Sequence, residues 1–417
     1  MTDTTRELIR STASHATRAR APAKKPWQGW LDAELGFRNH WYPAALSSHI
    51  AEGAARGVTL LGEEILLTRQ DGRLFAVEDR CCHRGVRFSA RPLFYTRDTV
   101  TCWYHTWTYD LETGRLFTIL TEPQAPIIGK CGLKPYPVTE AQGAVFIFIG
   151  DIEPPELSSD VPPGFLDDNI AVAAVEPYDI KANWRLACEN GYDPGHHFIH
   201  NWSKLCIDAD APVPFGWVTS REDIAKTTHY ETREPGPKGF TRTIAHTEMP
   251  FEATIPAKGD RAEVTVRPPL AEGKSPDVLA AAQADAEHGK VGLWLPCGLK
   301  VEDWPFKDVW HVEFYVPKDA GTHTYFQFGC KRVADETARR RWLESEHAEL
   351  WKAIPDDFTG EDAFARENME KFYAEEDGWH RERLFRPDIE LTMWRRFASE
   401  HARGIQTRDH AKGVARP

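Results

Sequence analysis

Two short stretches, 81-CCHRG-85 and 102-CWYHTW-107, restrict what this chain can fold into more than any other feature. Each sets a Cys and a His two or three residues apart, and both fall where the chain otherwise reads as strand. From about residue 40 to 150, β-rich runs (59-TLLGEEILLTR-69, 74-LFAVED-79, 99-TVTCWYHTWTYD-110, 142-QGAVFIFIG-150) alternate with turn formers such as Asp71-Gly72 and Thr113-Gly114. This pattern predicts a small antiparallel β domain with the two Cys-His pairs at the tips of hairpin loops. The segment 151–168, with two Pro-Pro pairs, reads as a linker.

Thiolates and imidazoles presented as CxH and CxxH can hold zinc tetrahedrally. They can also hold a Rieske [2Fe-2S] cluster, with two thiolates on one iron and two imidazoles on the other. Small zinc modules pair Cys with Cys and His with His, whereas here each loop supplies one of each, which favours the cluster. Adjacent residues cannot easily point at two irons, so CxH selects Cys81 with His83 and leaves Cys82 a bystander. The second loop supplies Cys102 and His105. Gly85 is expected where the backbone approaches the cluster and donates N–H bonds to its sulfurs. The eight cysteines are spread thinly over 417 residues, a pattern of buried thiols and metal ligands more than of disulfides.

Beyond the linker the pattern changes. The stretch 183-NWRLACENGYDPGHHFIHNW-202 reads as helical on either side of a Pro-Gly interruption, and 222–335 as mostly strand with long loops. Helices are predicted over 335–354 and 361–377, the second carrying Phe364, Met369 and Phe372 on one side. His196 and His200, one helical turn apart, can bring both imidazoles to a single ion. One carboxylate from elsewhere would complete a two-His-one-carboxylate facial triad, which leaves positions open for O2 on Fe(II). His197 faces away and reads as packing or support. The fold class is therefore α+β. A small antiparallel β domain (28–152), its N-terminal segment packing on the second domain, precedes a larger α+β domain (153–417) with an antiparallel sheet, flanking helices and a helix-grip-like layout. Residues 1–27 read as a leader.

A formal net charge of −12 argues against nucleic acid or an anionic membrane as the main partner. No run approaches eighteen apolar residues and the N-terminus lacks an apolar signal core, so a cytoplasmic location is expected. No GxGxxG fingerprint follows a strand, so NAD(P)H binding is not expected in this chain.

With these residues in place, the chain resembles the terminal oxygenase components of Rieske non-haem iron oxygenases, most of all the carbazole dioxygenase branch that attacks fused N-heteroaromatics. The resemblance runs through 35-LGFRNHWYPA-44, 80-RCCHRGVRFS-89, 102-CWYHTWTYD-110, 187-ACENGYDPGHHFIH-200 and 394-WRRFASEHARGIQT-407, nearly the whole chain. Trp103, where most of the wider family has Pro, is the marker of that branch. The likeness implies one Rieske cluster, one mononuclear Fe(II) and O2 as co-substrate. It also implies a ferredoxin and an NAD(P)H-dependent reductase as electron donors, an aromatic or N-heteroaromatic substrate, and a head-to-tail homotrimer. It makes Asp362 the third iron ligand, with Asp356, Asp357 and Glu361 as competitors nearby. It makes Asp193 the link from His196 to His105 of a neighbouring subunit, and the Gly191 carbonyl an acceptor for a substrate ring N–H. Two departures stand out. Thr106 occupies a position that is Gly in the wider family, and the segment 267–290 is longer than in the carbazole branch, which bears on the substrate.

Overall fold

The computed structural model describes residues 24–412, apart from 209, 217–220, 234–235, 244–248, 287–289 and 304–307. The leader expected over 1–27 thus lies outside the described residues as far as residue 23.

The N-terminal half holds three small antiparallel sheets. Strands Ala55–Leu60, Glu63–Gln70, Arg73–Glu78 and Pro135–Tyr136 form one; Thr99–Thr101, Trp107–Asp110 and Leu116–Ile119 form a second; His40–Leu46, Ala144–Ile149 and Val138–Ala141 form a third. The run 59–69, read as one strand, divides at Leu61-Gly62, both at positive φ (54° and 79°), while Leu60 pairs with Glu63. That is the backbone of a tight hairpin turn matched to strand twist. The Cys102 loop lies at a hairpin tip as expected, between the paired strands Thr99–Thr101 and Trp107–Asp110. The Cys81 loop does not. Arg73–Glu78 already pairs on both sides, with Glu63–Gln70 and Pro135–Tyr136, so the chain beyond Cys81 must start a new sheet.

The C-terminal half is built on an eight-stranded antiparallel sheet. Its order is Ile170–Ala174, His323–Arg332, Val309–Pro317, Gly298–Glu302, Lys290–Trp294, Gly236–Thr243, Thr228–Arg233, with Tyr178–Ile180 also pairing His323–Arg332. Helix Trp184–Asn190 is buried at all seven residues, packed against strand Val309–Pro317 and helix Phe358–Glu375. Asn183 caps its start by accepting from the Arg185 N–H at 3.1 Å. Trp30, Phe37, Trp184 and Trp394 pack ring on ring at 5.0–6.1 Å. The N-terminal segment therefore lies against the second domain, and the main core runs unbroken between the two halves. A separate small core, with Leu66, Phe88, Val100 and Tyr109, sits under the two Cys-His loops.

Two helical expectations change. The stretch 335–354 is two helices, Glu336–Leu343 and Glu346–Ala353, because Ser345 acts as a fresh N-cap for Ala348. In helix Phe358–Glu375 the buried residues are Thr359, Asp362 and Arg366, while Phe364 is 67% exposed. Its inner face is polar over the first turns, where Asp362 and Arg366 meet ionisable groups, and Met369 and Tyr373 beyond them pack against the main core. The segment 267–290 contains a 3₁₀ turn, Pro269–Ala271, and a helix, Pro276–Ala286. Among the described residues no helix is long and apolar enough to cross a membrane.

Candidate functional site

The two Cys-His loops are built on one plan. The Cys81 carbonyl accepts from the Gly85 N–H at 2.8 Å, and the Cys102 carbonyl from the Thr106 N–H at 2.9 Å. Each Cys N–H in turn donates to the carbonyl five residues on, Val86 at 3.0 Å and Trp107 at 2.7 Å. Such a loop needs a left-handed residue four positions after the Cys, and Gly85 (φ 72°) and Thr106 (φ 58°) supply it. The Gly85 N–H is therefore spent on a carbonyl. The main-chain groups that act on the sulfurs belong to His83 at Cys81, and to His105 and Tyr104 at Cys102.

Cys81 and Cys102 are both 1% exposed, with their sulfurs in mutual contact. Cys102 is pulled down, first by the bond from Cys81 and then by those main-chain N–H groups against the opposing effect of burial, while Cys81 is pushed up. The rings of His83 and His105 stand 4.6 Å apart, and Trp107 stacks on His83 at 4.8 Å. Two buried sulfurs on one side and two imidazoles toward the surface match the donor set of a Rieske cluster. Zinc bound by the same four would not call for this division.

The second site lies under helix Trp184–Asn190. The segment His196–Trp202 is a 3₁₀ helix, not the expected α-helix. With three residues per turn, positions i and i+4 are offset around the axis. The His196 and His200 rings accordingly meet at 85°, with centroids 5.4 Å apart. Asp362 comes in from helix Phe358–Glu375, its Oδ1 3.7 Å from His196 Nε2 and 3.8 Å from His200 Nε2. One donor atom from each of the three lies within 4.8 Å of the others, and among the described residues no other three His, Cys, Asp or Glu converge this closely. His200 Nε2 and Asp362 Oδ1 are buried without a hydrogen-bond partner. Burial, against the opposing pull of Asp362, lowers His200 to about 4, so at neutral pH it presents a lone pair. The residues fit a mononuclear iron held by two His and one carboxylate.

The competing acids are engaged elsewhere or lie off the site. Both Asp357 oxygens accept from the Ser203 hydroxyl and the Lys204 and Leu205 N–H groups, at 2.7–2.8 Å. Asp356 and Glu361 do not join the group. His196 Nδ1 donates to the main-chain oxygen of Asp193 at 2.5 Å, whereas the Asp193 carboxylate accepts from the Gly195 N–H at 2.7 Å. The link from Asp193 to His196 within the chain thus runs through the backbone. Gly191 ends helix Trp184–Asn190, and a Cβ there would fall 2.2 Å from the Tyr315 hydroxyl, so packing by itself requires Gly. His197 does not join the group, its ring 4.1 Å from that of His196.

Sequence reasoning missed a charged layer beneath the triad. Arg366 is buried one turn from Asp362, donates to the Asn190 side chain at 2.6 Å, and lies over the rings of Tyr315 and Tyr325. Glu313 sits 2.6 Å from His311 and accepts from the Tyr315 hydroxyl. Burial would raise Glu313, yet His311, Arg366 and Tyr315 hold it at about 2. The i, i+4 spacing of Asp362 and Arg366 was the available signal.

Comparison with known proteins covers almost the whole chain. Residues 40–137 match a Rieske [2Fe-2S] domain model and 148–406 a homotrimeric ring hydroxylase model. The terminal oxygenase components of carbazole 1,9a-dioxygenase from Metapseudomonas resinovorans and Sphingomonas sp are each 42% identical. The alignments span 93% and 92% of this chain and 97% and 96% of those proteins. Among solved structures, the terminal oxygenase of carbazole 1,9a-dioxygenase from Novosphingobium sp. KA1 superposes with a TM-score of 0.80 at 40% identity, over 92% of this chain and 98% of that one. A carbazole-bound oxygenase and ferredoxin complex of carbazole 1,9a-dioxygenase gives 0.83 at 41%, over 94% and 97%.

Proposed function

The chain belongs to the Rieske non-haem iron ring-hydroxylating oxygenases, and from that premise we propose that its substrate is a carbazole-like fused N-heteroaromatic, dihydroxylated at an angular or adjacent ring position. It is the terminal oxygenase of a multicomponent dioxygenase, working as a homotrimer with a ferredoxin and the reductase that such a system requires. We place it in the cytoplasm.

When bound, the cluster supplies single electrons and the mononuclear iron activates O2; the chain's residues supply the rest. In this reading Cys81, Cys102, His83 and His105 hold the cluster, and His196, His200 and Asp362 hold the iron. Asp362 neutralises charge at a site otherwise lined by neutral imidazole. Asp193 orients His196 through its main-chain oxygen and leaves its carboxylate to reach His105 of the neighbouring subunit. The Gly191 carbonyl accepts the substrate ring N–H. The observation that carries the reading is the convergence of His196, His200 and Asp362 in a chain that also contains the two Cys-His loops.

The test is turnover with purified ferredoxin, reductase, NADH and carbazole under labelled O2. Two labelled oxygens in one product molecule are expected. One labelled oxygen would make the protein a monooxygenase on the same scaffold. Sustained turnover with NADH and no other protein would remove the ferredoxin from the scheme.

A further inference from the structure

Cys82 takes no part in holding the cluster, yet its sulfur is engaged. Its Sγ lies 3.2 Å from the Sγ of Cys131, 49 residues away in the connection between strands Leu116–Ile119 and Pro135–Tyr136. Both cysteines are partly buried, whereas Cys188, Cys206, Cys297 and Cys330 are buried. Cys82 Sγ is also 3.3 Å from the Tyr109 hydroxyl, and the same hydroxyl is 3.2 Å from Cys81 Sγ. One phenol therefore stands between the Cys82–Cys131 pair and a sulfur assigned to the cluster.

The geometry points to a reversible redox site: Cys82 and Cys131 form a disulfide on exposure to a low-molecular-weight disulfide, and Tyr109 transmits the change to the cluster. One protein thiolate attacks the small disulfide, forming a mixed disulfide and releasing one small thiol. The second protein thiolate attacks the mixed disulfide and releases the other. One S–S bond breaks and one forms, the protein pair loses two electrons and two protons, and both pass to the two small thiols. The sulfurs close from 3.2 Å to about 2 Å, a shift of about 1 Å. In a reducing compartment the pair rests as thiols and registers oxidative conditions.

Tyr109 has a single O–H to donate. While Cys82 is a thiol it competes for that proton and can also donate to the phenol oxygen. As part of a disulfide it has no S–H and accepts poorly, so the Tyr109 O–H turns to Cys81. A hydrogen bond to a ligand sulfur favours the more electron-rich, reduced cluster, so the potential rises on disulfide formation. This coupling rests on Cys81 being a cluster ligand; the disulfide does not.

The experiment uses the cluster-loaded protein, equilibrated without oxygen in mixtures of reduced and oxidised glutathione, quenched with N-ethylmaleimide and mapped by mass spectrometry. A peptide joining Cys82 to Cys131 is expected under oxidising mixtures, two hydrogens lighter than its reduced parts, reversed by dithiothreitol and absent in Cys131→Ser. Full alkylation of both cysteines in every mixture would overturn the site, and the wild-type map alone decides this. The coupling is read from the electron paramagnetic resonance signal and midpoint potential of the cluster in the two forms. An upward shift that Tyr109→Phe abolishes is expected. An unmoved potential in cross-linked protein would overturn the coupling and leave the disulfide standing. Protein with no Rieske signal would overturn the coupling together with the cluster assignment, and the peptide map would still decide the disulfide.

Discussion

A buried carboxylate oxygen without a hydrogen-bond partner is costly, and Asp362 Oδ1 is one. A bound cation offsets that cost, which is why Asp362→Ala is expected to lose the mononuclear iron while keeping the Rieske absorption. Metal analysis and a visible spectrum on the same sample check this; unchanged iron content would move the ligand to another acid. Thr106 carries strain of a different kind, as a β-branched residue at φ 58° whose hydroxyl is buried without a partner. Thr106→Gly should raise stability by about 1 kcal/mol, the relief of left-handed strain less the entropy that Gly loses on folding. Denaturant unfolding of the pair would measure it. His323 is fully buried, its Nδ1 donating to the Ala182 carbonyl at 2.7 Å, and burial lowers it to about 3 from 6.5. The unfolded chain takes up the proton first. This residue's contribution to stability is complete above pH 6.5 and falls by about 1.4 kcal/mol per pH unit below it. Unfolding midpoints at two pH values should show a slope that His323→Asn reduces.

At the scale of elements, some of the molecule could be read directly and some could not. The Cys-His pairs and the HHFIH stretch stand out in the sequence because each gathers its donor groups within a few residues, so spacing alone suggests chemistry. The identical turn in the two cluster loops was not, since aligning them on Cys places one His at the second position after it and the other at the third. The shared feature is the left-handed residue at the fourth position. The polar part of helix Phe358–Glu375 was not foreseen: Thr359, Asp362 and Arg366, three and four residues apart, hold the buried side that Met369 continues against the main core, while Phe364 faces out. The pairing of Cys82 with Cys131 depends on a contact 49 residues apart and leaves no local trace. Asp357, once a rival ligand, ties the start of that helix to the short helix Lys204–Asp208 beyond the histidines. Asp357→Ala should cost roughly 2 kcal/mol from lost charge-assisted hydrogen bonds. It should weaken iron retention without removing a ligand, which iron release into a chelator would time.

At the scale of the whole molecule, the fold class and the family were legible because the motifs span the chain. The trimer came only through likeness, since a single chain carries no mark of its symmetry. Asp193→Asn is a test at this scale. It should leave the trimer and both metals in place, as judged by light scattering and metal content, and slow turnover by about tenfold or more. Full activity would route electrons elsewhere. The join between the two halves has a further consequence. Gln406 donates to Glu63 at 2.9 Å and to the Leu61 carbonyl at 3.1 Å, the Asn39 amide donates to the Arg403 carbonyl at 2.9 Å, and Phe37 bridges Ile405. These contacts add a tie from late in the second half to the one that Trp30 and Phe37 make against Trp184 and Trp394. This part of the join can therefore form only once the chain has been made as far as Gln406, late in the second half's own synthesis.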